Sequence, residues 1–154
     1  MLKLLACLAV VFVAGGTGSF ATAKAIPTWY EGLAKPSFNP PAWLFGPAWT
    51  VLYLMMAVAA WLVWKQGIGA AGVKLALAVF LVQLILNTLW SVLFFGLRSP
   101  LLGLADIIVL WLAILATIVL FFRVSTAAGI LLLPYIAWVS FAAVLNAAIL
   151  HLNH

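Results

Sequence analysis

Residues 75–97 read LALAVFLVQLILNTLWSVLFFGL, twenty-three consecutive positions without a charged side chain. As a helix rising 1.5 Å per residue, such a run reaches roughly 35 Å, enough to cross a hydrocarbon core about 30 Å thick. Outward from this stretch, the few charges of the chain mark off four more runs of the same kind, at 4–23, 42–64, 101–122 and 126–150. Only 101–122 contains an acid, Asp106. A helix satisfies its backbone hydrogen bonds internally in lipid and an open strand does not; the strict polar/apolar alternation of a barrel strand is also missing. The expected fold is an all-α membrane protein, a bundle of five transmembrane helices forming one domain over residues 1–154.

Composition agrees. The chain is 69% hydrophobic and 6% charged, against about 45–50% and about 25% in ordinary soluble domains. A water-soluble enzyme could not cover its surface with so few polar groups, and a disordered chain needs low hydrophobicity. The net charge of +5 is scattered singly along 154 residues, so no basic cluster offers itself to nucleic acid. The lone cysteine, Cys7, allows no internal disulfide. The first run has a second reading, because Lys3, an apolar stretch and Ala21-Thr22-Ala23 resemble a signal peptide with its cleavage site. Its apolar stretch exceeds the usual 7–15 residues of such a peptide, and it is read as helix 1. The protein is expected to be multi-pass, in a bacterial cell or outer membrane rather than a mitochondrial one.

Lys3, Lys65, Lys74 and Arg123 should lie on one side of the membrane, and Lys24, Lys35 and Arg98 on the other; the bias weakly favours an internal amino terminus. Links such as Arg98-Ser99-Pro100 and 123–126 are short and force antiparallel neighbours. The long connection is 24–41. Seven aromatic residues (Trp29, Tyr30, Phe38, Trp43, Phe45, Trp49 and Tyr53) crowd into 29–53, a sixth of the chain, interleaved with Pro36, Pro40, Pro41 and Pro47. Proline fixes φ and extends its predecessor, so 24–41 should be a stiff aromatic lid over the helix ends. Trp29, Tyr30, Trp61 and Trp64 also suit a membrane-interface belt. Trp49 and Tyr53 are one turn apart on helix 2, well inside the bilayer. Pro47 either kinks helix 2, freeing the Trp43 carbonyl, or marks where that helix begins.

Gln83, Asn87, Trp90 and Phe94 fall on one stripe of helix 3, and Tyr135, Trp138, Ala142 and Asn146 on one stripe of helix 5. Amides in a bilayer need partners, so both stripes should face inward, either gluing helices together or lining a pocket for a flat, mostly apolar molecule. Asp106 lies about five residues into helix 4, and Arg98 is its expected ion-pair partner. No Ser–His–Asp set, paired carboxylates or phosphate loop occurs, and no metal or cofactor is expected. His151 and His154, three apart, read as a solvated end. Ala14/Gly18 and Gly72/Ala76 are small-residue pairs that permit close helix contact or dimerisation.

The ordered set Trp29-Tyr30-x-x-Leu33-x-Lys35-Pro36-x-x-x-Pro40-Pro41-x-Trp43 and Pro47-x-Trp49-x-x-Leu52-Tyr53 resembles the opening signature of the TspO/translocator-protein family. Gln83-Leu84-x-Leu86-Asn87-x-x-Trp90 with Phe94-Phe95-Gly96-x-Arg98 is similar to its third helix, and Pro134-Tyr135-x-x-Trp138-x-x-Phe141-Ala142-x-x-Leu145-Asn146 to its fifth. The resemblance implies a membrane receptor or carrier, commonly dimeric, for porphyrins such as protoporphyrin IX, with synthetic benzodiazepine-type ligands also bound. It places the pocket among helices 1, 2 and 5 and the first loop, with Trp49, Asn87, Trp138 and Ala142 at matching positions. The candidate ligand-binding set is therefore Trp29, Tyr30, Lys35, Trp43, Phe45, Trp49, Tyr53, Gln83, Asn87, Trp90, Tyr135, Trp138, Ala142 and Asn146, with porphyrin propionates at Lys35 or amide donors on the rim. Animal members carry a proposed sterol motif with Tyr and Arg late in helix 5. This chain has Ala147-Ala148-Ile149-Leu150-His151 there, so sterol handling is not expected. Two other roles remain open: light-dependent oxidation of bound porphyrin through Trp49 and Trp138, and a stress-related membrane scaffold.

Overall fold

The computed structural model describes residues 1–153. Five helical spans cross in antiparallel order, at Leu2–Tyr30, Ala42–Trp64, Val73–Gly96, Pro100–Val124 and Thr126–Asn153. Helix α1 (Leu2–Ala25) passes directly into a π-helical turn, Ile26–Tyr30, in which Glu31 N–H reaches the Ile26 carbonyl at 3.1 Å. Pro27 sits at the start of that turn, and having no N–H it cannot continue the α ladder. The wider register absorbs the missing bond. Trp29 and Tyr30 therefore belong to the end of the first span, and the connection is 31–41 rather than 24–41.

A 3₁₀ turn, Ala42–Leu44, leads into α2 (Phe45–Trp64). Pro47 thus falls in the first turn of α2, where an N–H needs no partner; the helix begins there and Pro47 does not kink it. Helix α3 (Val73–Ser91) also ends in a π-helical turn, Val92–Gly96. Helix α4 (Pro100–Val124) starts on a Ser99 cap, whose hydroxyl accepts from Leu102 N–H at 3.1 Å. The fifth span is two segments, α5 (Thr126–Leu131) and α6 (Leu133–Asn153). They part beside Pro134, whose ring removes the bond to residue 130.

The core divides by height. Toward the amino-terminal end, Val11, Met56, Ala57, Ala59, Ala60, Val63, Ala76, Phe80 and Phe121 pack almost without exposure. The alanines of α2 let neighbouring helices come close, and Lys3 reaches the Trp64 carbonyl at 3.5 Å. Lys65 lies over Trp61 and Lys3 over Trp64, in the last turns of α2. At the other end, Ala25, Tyr30, Phe94, Phe95, Leu145 and Ile149 form a second, aromatic cluster. The small pairs are used inside the chain. Thr88 donates to the Ala14 carbonyl at 3.1 Å, Gly18 lies against Ser91, and Ala76 is fully buried.

Candidate functional site

Between the two clusters lies a cavity of about 430 Å³, within the range of roughly 300–1,000 Å³ typical of ligand clefts. From α1 its wall takes Phe12, Gly15, Gly16, Ser19, Thr22 and Ala23. Small residues at five of these six positions leave room where larger side chains would fill it. Gly15 is needed for a second reason: a Cβ there would stand 2.6 Å from the Tyr53 ring. Helix α2 and its leading turn supply Ala42, Phe45, Gly46, Trp49, Thr50 and Tyr53, and the third span supplies Trp90, Ser91, Phe94 and Phe95. Helix α6 closes the wall with Trp138, Ala142, Leu145, Asn146 and Ile149, and Ile26 and Tyr30 complete it above. The edges facing lipid between the first two spans, Gly16 and Ser19 against Gly46 and Thr50, are exposed.

The rings are set edge to face. Trp138 lies 6.4 Å from Trp49 at an interplanar angle of 89° and 6.3 Å from Phe45 at 75°. Trp49 stacks on Tyr53 at 5.5 Å and 29°. Trp90 and Trp111 donate their indole N–H groups to Asn146 Oδ1 and Ser140 Oγ. Those of Trp49 and Trp138 have no protein acceptor among the described residues. No Lys, Arg, His, Asp or Glu lines the cavity. What enters must therefore be apolar through most of its body, with at most a few acceptors for indole or hydroxyl donors.

Of the sequence-derived set, Tyr30, Phe45, Trp49, Tyr53, Trp90, Trp138, Ala142 and Asn146 meet at this cavity. Gln83, Asn87 and Tyr135 lie behind its wall. Tyr53 donates to Asn87 Oδ1 at 2.9 Å, Asn87 Nδ2 to the Tyr135 hydroxyl at 2.7 Å, and Tyr135 to Gln83 Oε1 at 2.8 Å. This chain ties α2, α3 and α6 and fixes the Tyr53 ring from outside. Asn146 does both jobs, since its Nδ2 also donates to the Pro100 carbonyl at 2.8 Å. Trp29 packs edge-on against Phe94 and Phe95 beyond the wall, and Trp43 is 71% exposed. Lys35 lies outside the lining, its Nζ 4.8 Å over the ring of the lining residue Tyr30 and bonded to the Glu31 and Leu33 carbonyls.

One expected contact is not formed. Asp106 is buried with Oδ2 unpartnered, and no ion pair joins it to Arg98 among the described residues. Arg98 turns the corner after the third span at φ 53° with its side chain exposed. Asp106 sits two turns into α4 on the buried face shared with Gly103, Ile107 and Leu110. His154 lies outside the described residues. The lining residues outside the sequence-derived set are those of α1 with Ile26, then Ala42, Gly46 and Thr50, then Ser91, Phe94 and Phe95, and finally Leu145 and Ile149. The signal on α1 was the run Gly15-Gly16-x-Gly18-Ser19, which reads as close helix contact as readily as a cavity wall.

The profile of the TspO/MBR family matches residues 6–152. Tryptophan-rich protein TspO of Archaeoglobus fulgidus is 49% identical over 154 residues, covering 99% of this chain and 98% of that protein. Protein CrtK of Rhodobacter capsulatus is 40% identical over 149 residues, with 94% and 91% covered. Translocator protein of Homo sapiens is 41% identical over 128 residues, with 82% and 75% covered.

Proposed function

The chain belongs to the TspO/MBR family of membrane proteins, and on that premise we propose that it is a receptor or carrier for porphyrin-type tetrapyrroles. The observation that carries the reading is the uncharged cavity with Trp49, Trp138, Phe45 and Tyr53 around it. A flat macrocycle stacks on indole and phenyl faces, and its ring nitrogens or peripheral acceptors meet the two open indole N–H donors. Its propionates have no cation inside the cavity. They belong at the rim, where Lys35 would exchange a backbone carbonyl for a carboxylate. The same reading makes synthetic benzodiazepine-type ligands competitors for this space, and a homodimer the working state in the bilayer. The contact between copies would use faces other than the small pairs already buried within the chain.

Titration of the reconstituted protein with protoporphyrin IX, followed by tryptophan fluorescence, tests the reading. Saturable quenching is expected. The double variant Trp49→Phe/Trp138→Phe, followed by porphyrin absorbance, is expected to bind about tenfold more weakly, the equivalent of about 1.4 kcal/mol. Absence of saturable binding, or the same affinity in the variant, would overturn it.

A further inference from the structure

Asn153 ends α6 on the side of the membrane where the cavity lies, and its amide makes three hydrogen bonds, with both N–H groups in use. Oδ1 accepts from Ala34 N–H at 2.9 Å, while Nδ2 donates to the Ala34 carbonyl at 2.7 Å and to the Ile149 carbonyl, one turn back, at 2.8 Å. One side chain thus grips both backbone groups of a single residue in the 31–41 connection, as an adjoining β-strand would. The third bond fixes the amide against the carbonyl of a cavity-lining residue. Other bonds of the connection are local: Tyr30 OH to Asn39 Oδ1 at 2.9 Å, Asn39 N–H to the Pro36 carbonyl at 3.1 Å, and the Lys35 contacts. Among the described residues, Asn153 makes the only hydrogen-bonded tie from 31–41 to a span that does not adjoin it.

We propose that the 31–41 connection, which joins the lining residues Tyr30 and Ala42 without itself lining the cavity, covers the cavity mouth, that Asn153 is its latch, and that this latch sets how fast the cavity exchanges with the aqueous side. It is a positioning residue: it does not line the cavity and acts through Ala34, and so through the attachment of the cover above Tyr30 and Ile149. The inference rests on the cavity being the ligand site. The chemistry is specific to an amide. Aspartate of the same size keeps an acceptor for Ala34 N–H but sets an anionic oxygen against the Ala34 and Ile149 carbonyls. A residue needed only for its bulk tolerates that exchange; a latch does not.

The test uses the full chain in lipid nanodiscs, with Ala142→Cys as a cavity probe in a Cys7→Ser background and a charged, membrane-impermeant maleimide as reagent. Asn153→Ala and Asn153→Asp are each expected to label roughly tenfold faster than the parent, the order that two neutral hydrogen bonds at an exposed site supply. Protoporphyrin dissociation and association should both quicken by a similar factor, leaving affinity little changed, because Asn153 does not line the cavity. Hydrogen exchange over 31–41 gives a thiol-free reading and should be faster in both variants. Unchanged labelling and exchange in both variants, or parental behaviour of Asn153→Asp, would overturn the latch. Faster labelling in a protein that binds no porphyrin would leave the latch standing and remove the ligand reading instead.

Discussion

Asn87 holds three spans together with one amide. It accepts from Tyr53 of α2 and donates to Tyr135 of α6, while its own backbone belongs to α3. All three side chains are buried, so each hydroxyl depends on a partner that water cannot replace. Asn87→Leu, nearly the same in volume, leaves the Tyr53 hydroxyl with no acceptor and Tyr135 with one bond fewer. We expect it to cost about 3 kcal/mol, from roughly 1–3 kcal/mol for each buried polar group stranded. Thermal unfolding in detergent checks this, and an unchanged midpoint would mean that the tyrosines find other partners. Asp106 is a contrasting residue. Its buried carboxylate has an unpartnered oxygen, although both Asp106 and Arg98 were readable from the sequence as a pair. Separation along the chain placed them near the same corner. The left-handed backbone at Arg98, whose side chain is exposed, had no signal that spacing could carry.

Among the elements, the spans were legible because charge-free runs of about 20 residues have few other uses. Their ends were less so. Helix 1 read as 4–23, ending before Lys24, yet the chain stays helical to Tyr30 by widening its register at Pro27. The turn Val92–Gly96 does the same at the end of the third span, without a proline to announce it. Both wide turns flank the cavity and bring Ile26, Tyr30, Phe94 and Phe95 to its wall. The break between α5 and α6 follows from Pro134, the residue that opens the Pro134-Tyr135-x-x-Trp138 motif. Close approach of α4 to the third and fifth spans turns on Gly103. A Cβ there would meet Asn146 Oδ1 and a Phe94 ring carbon, each at 2.9 Å. Gly103→Ala should therefore displace two cavity residues at once. The expected outcome is a stability loss of about 1–3 kcal/mol, in the range of overpacked cores, accompanied by weaker porphyrin binding. A variant that melts and binds like the parent would show that α4 shifts freely.

At the scale of the whole molecule, the cavity arises where helices with large rings face helices with small residues. The aromatic half was readable: Trp49 and Tyr53, then Trp138 and Ala142, fall on single faces at helical spacing. The other half was not, because Gly15, Gly16, Ser19 and Ala23 contribute space rather than chemistry, and their pattern also fits tight packing. Inward-facing amides showed where the interior was, but an interior includes both the wall of a cavity and what stands behind it. Gln83, Asn87 and Tyr135 proved to be the latter. The family profile and relatives such as the tryptophan-rich protein at 49% identity place the chain among TspO/MBR membrane proteins. The identity of the guest is a separate matter, decided by where it sits. The most direct measurement is a structure of the reconstituted protein with protoporphyrin IX bound. The macrocycle is expected in the cavity against Trp49 and Trp138, beneath the 31–41 cover, its propionates toward Lys35; density for it only on the lipid-facing surface, with the cavity unchanged, would contradict this.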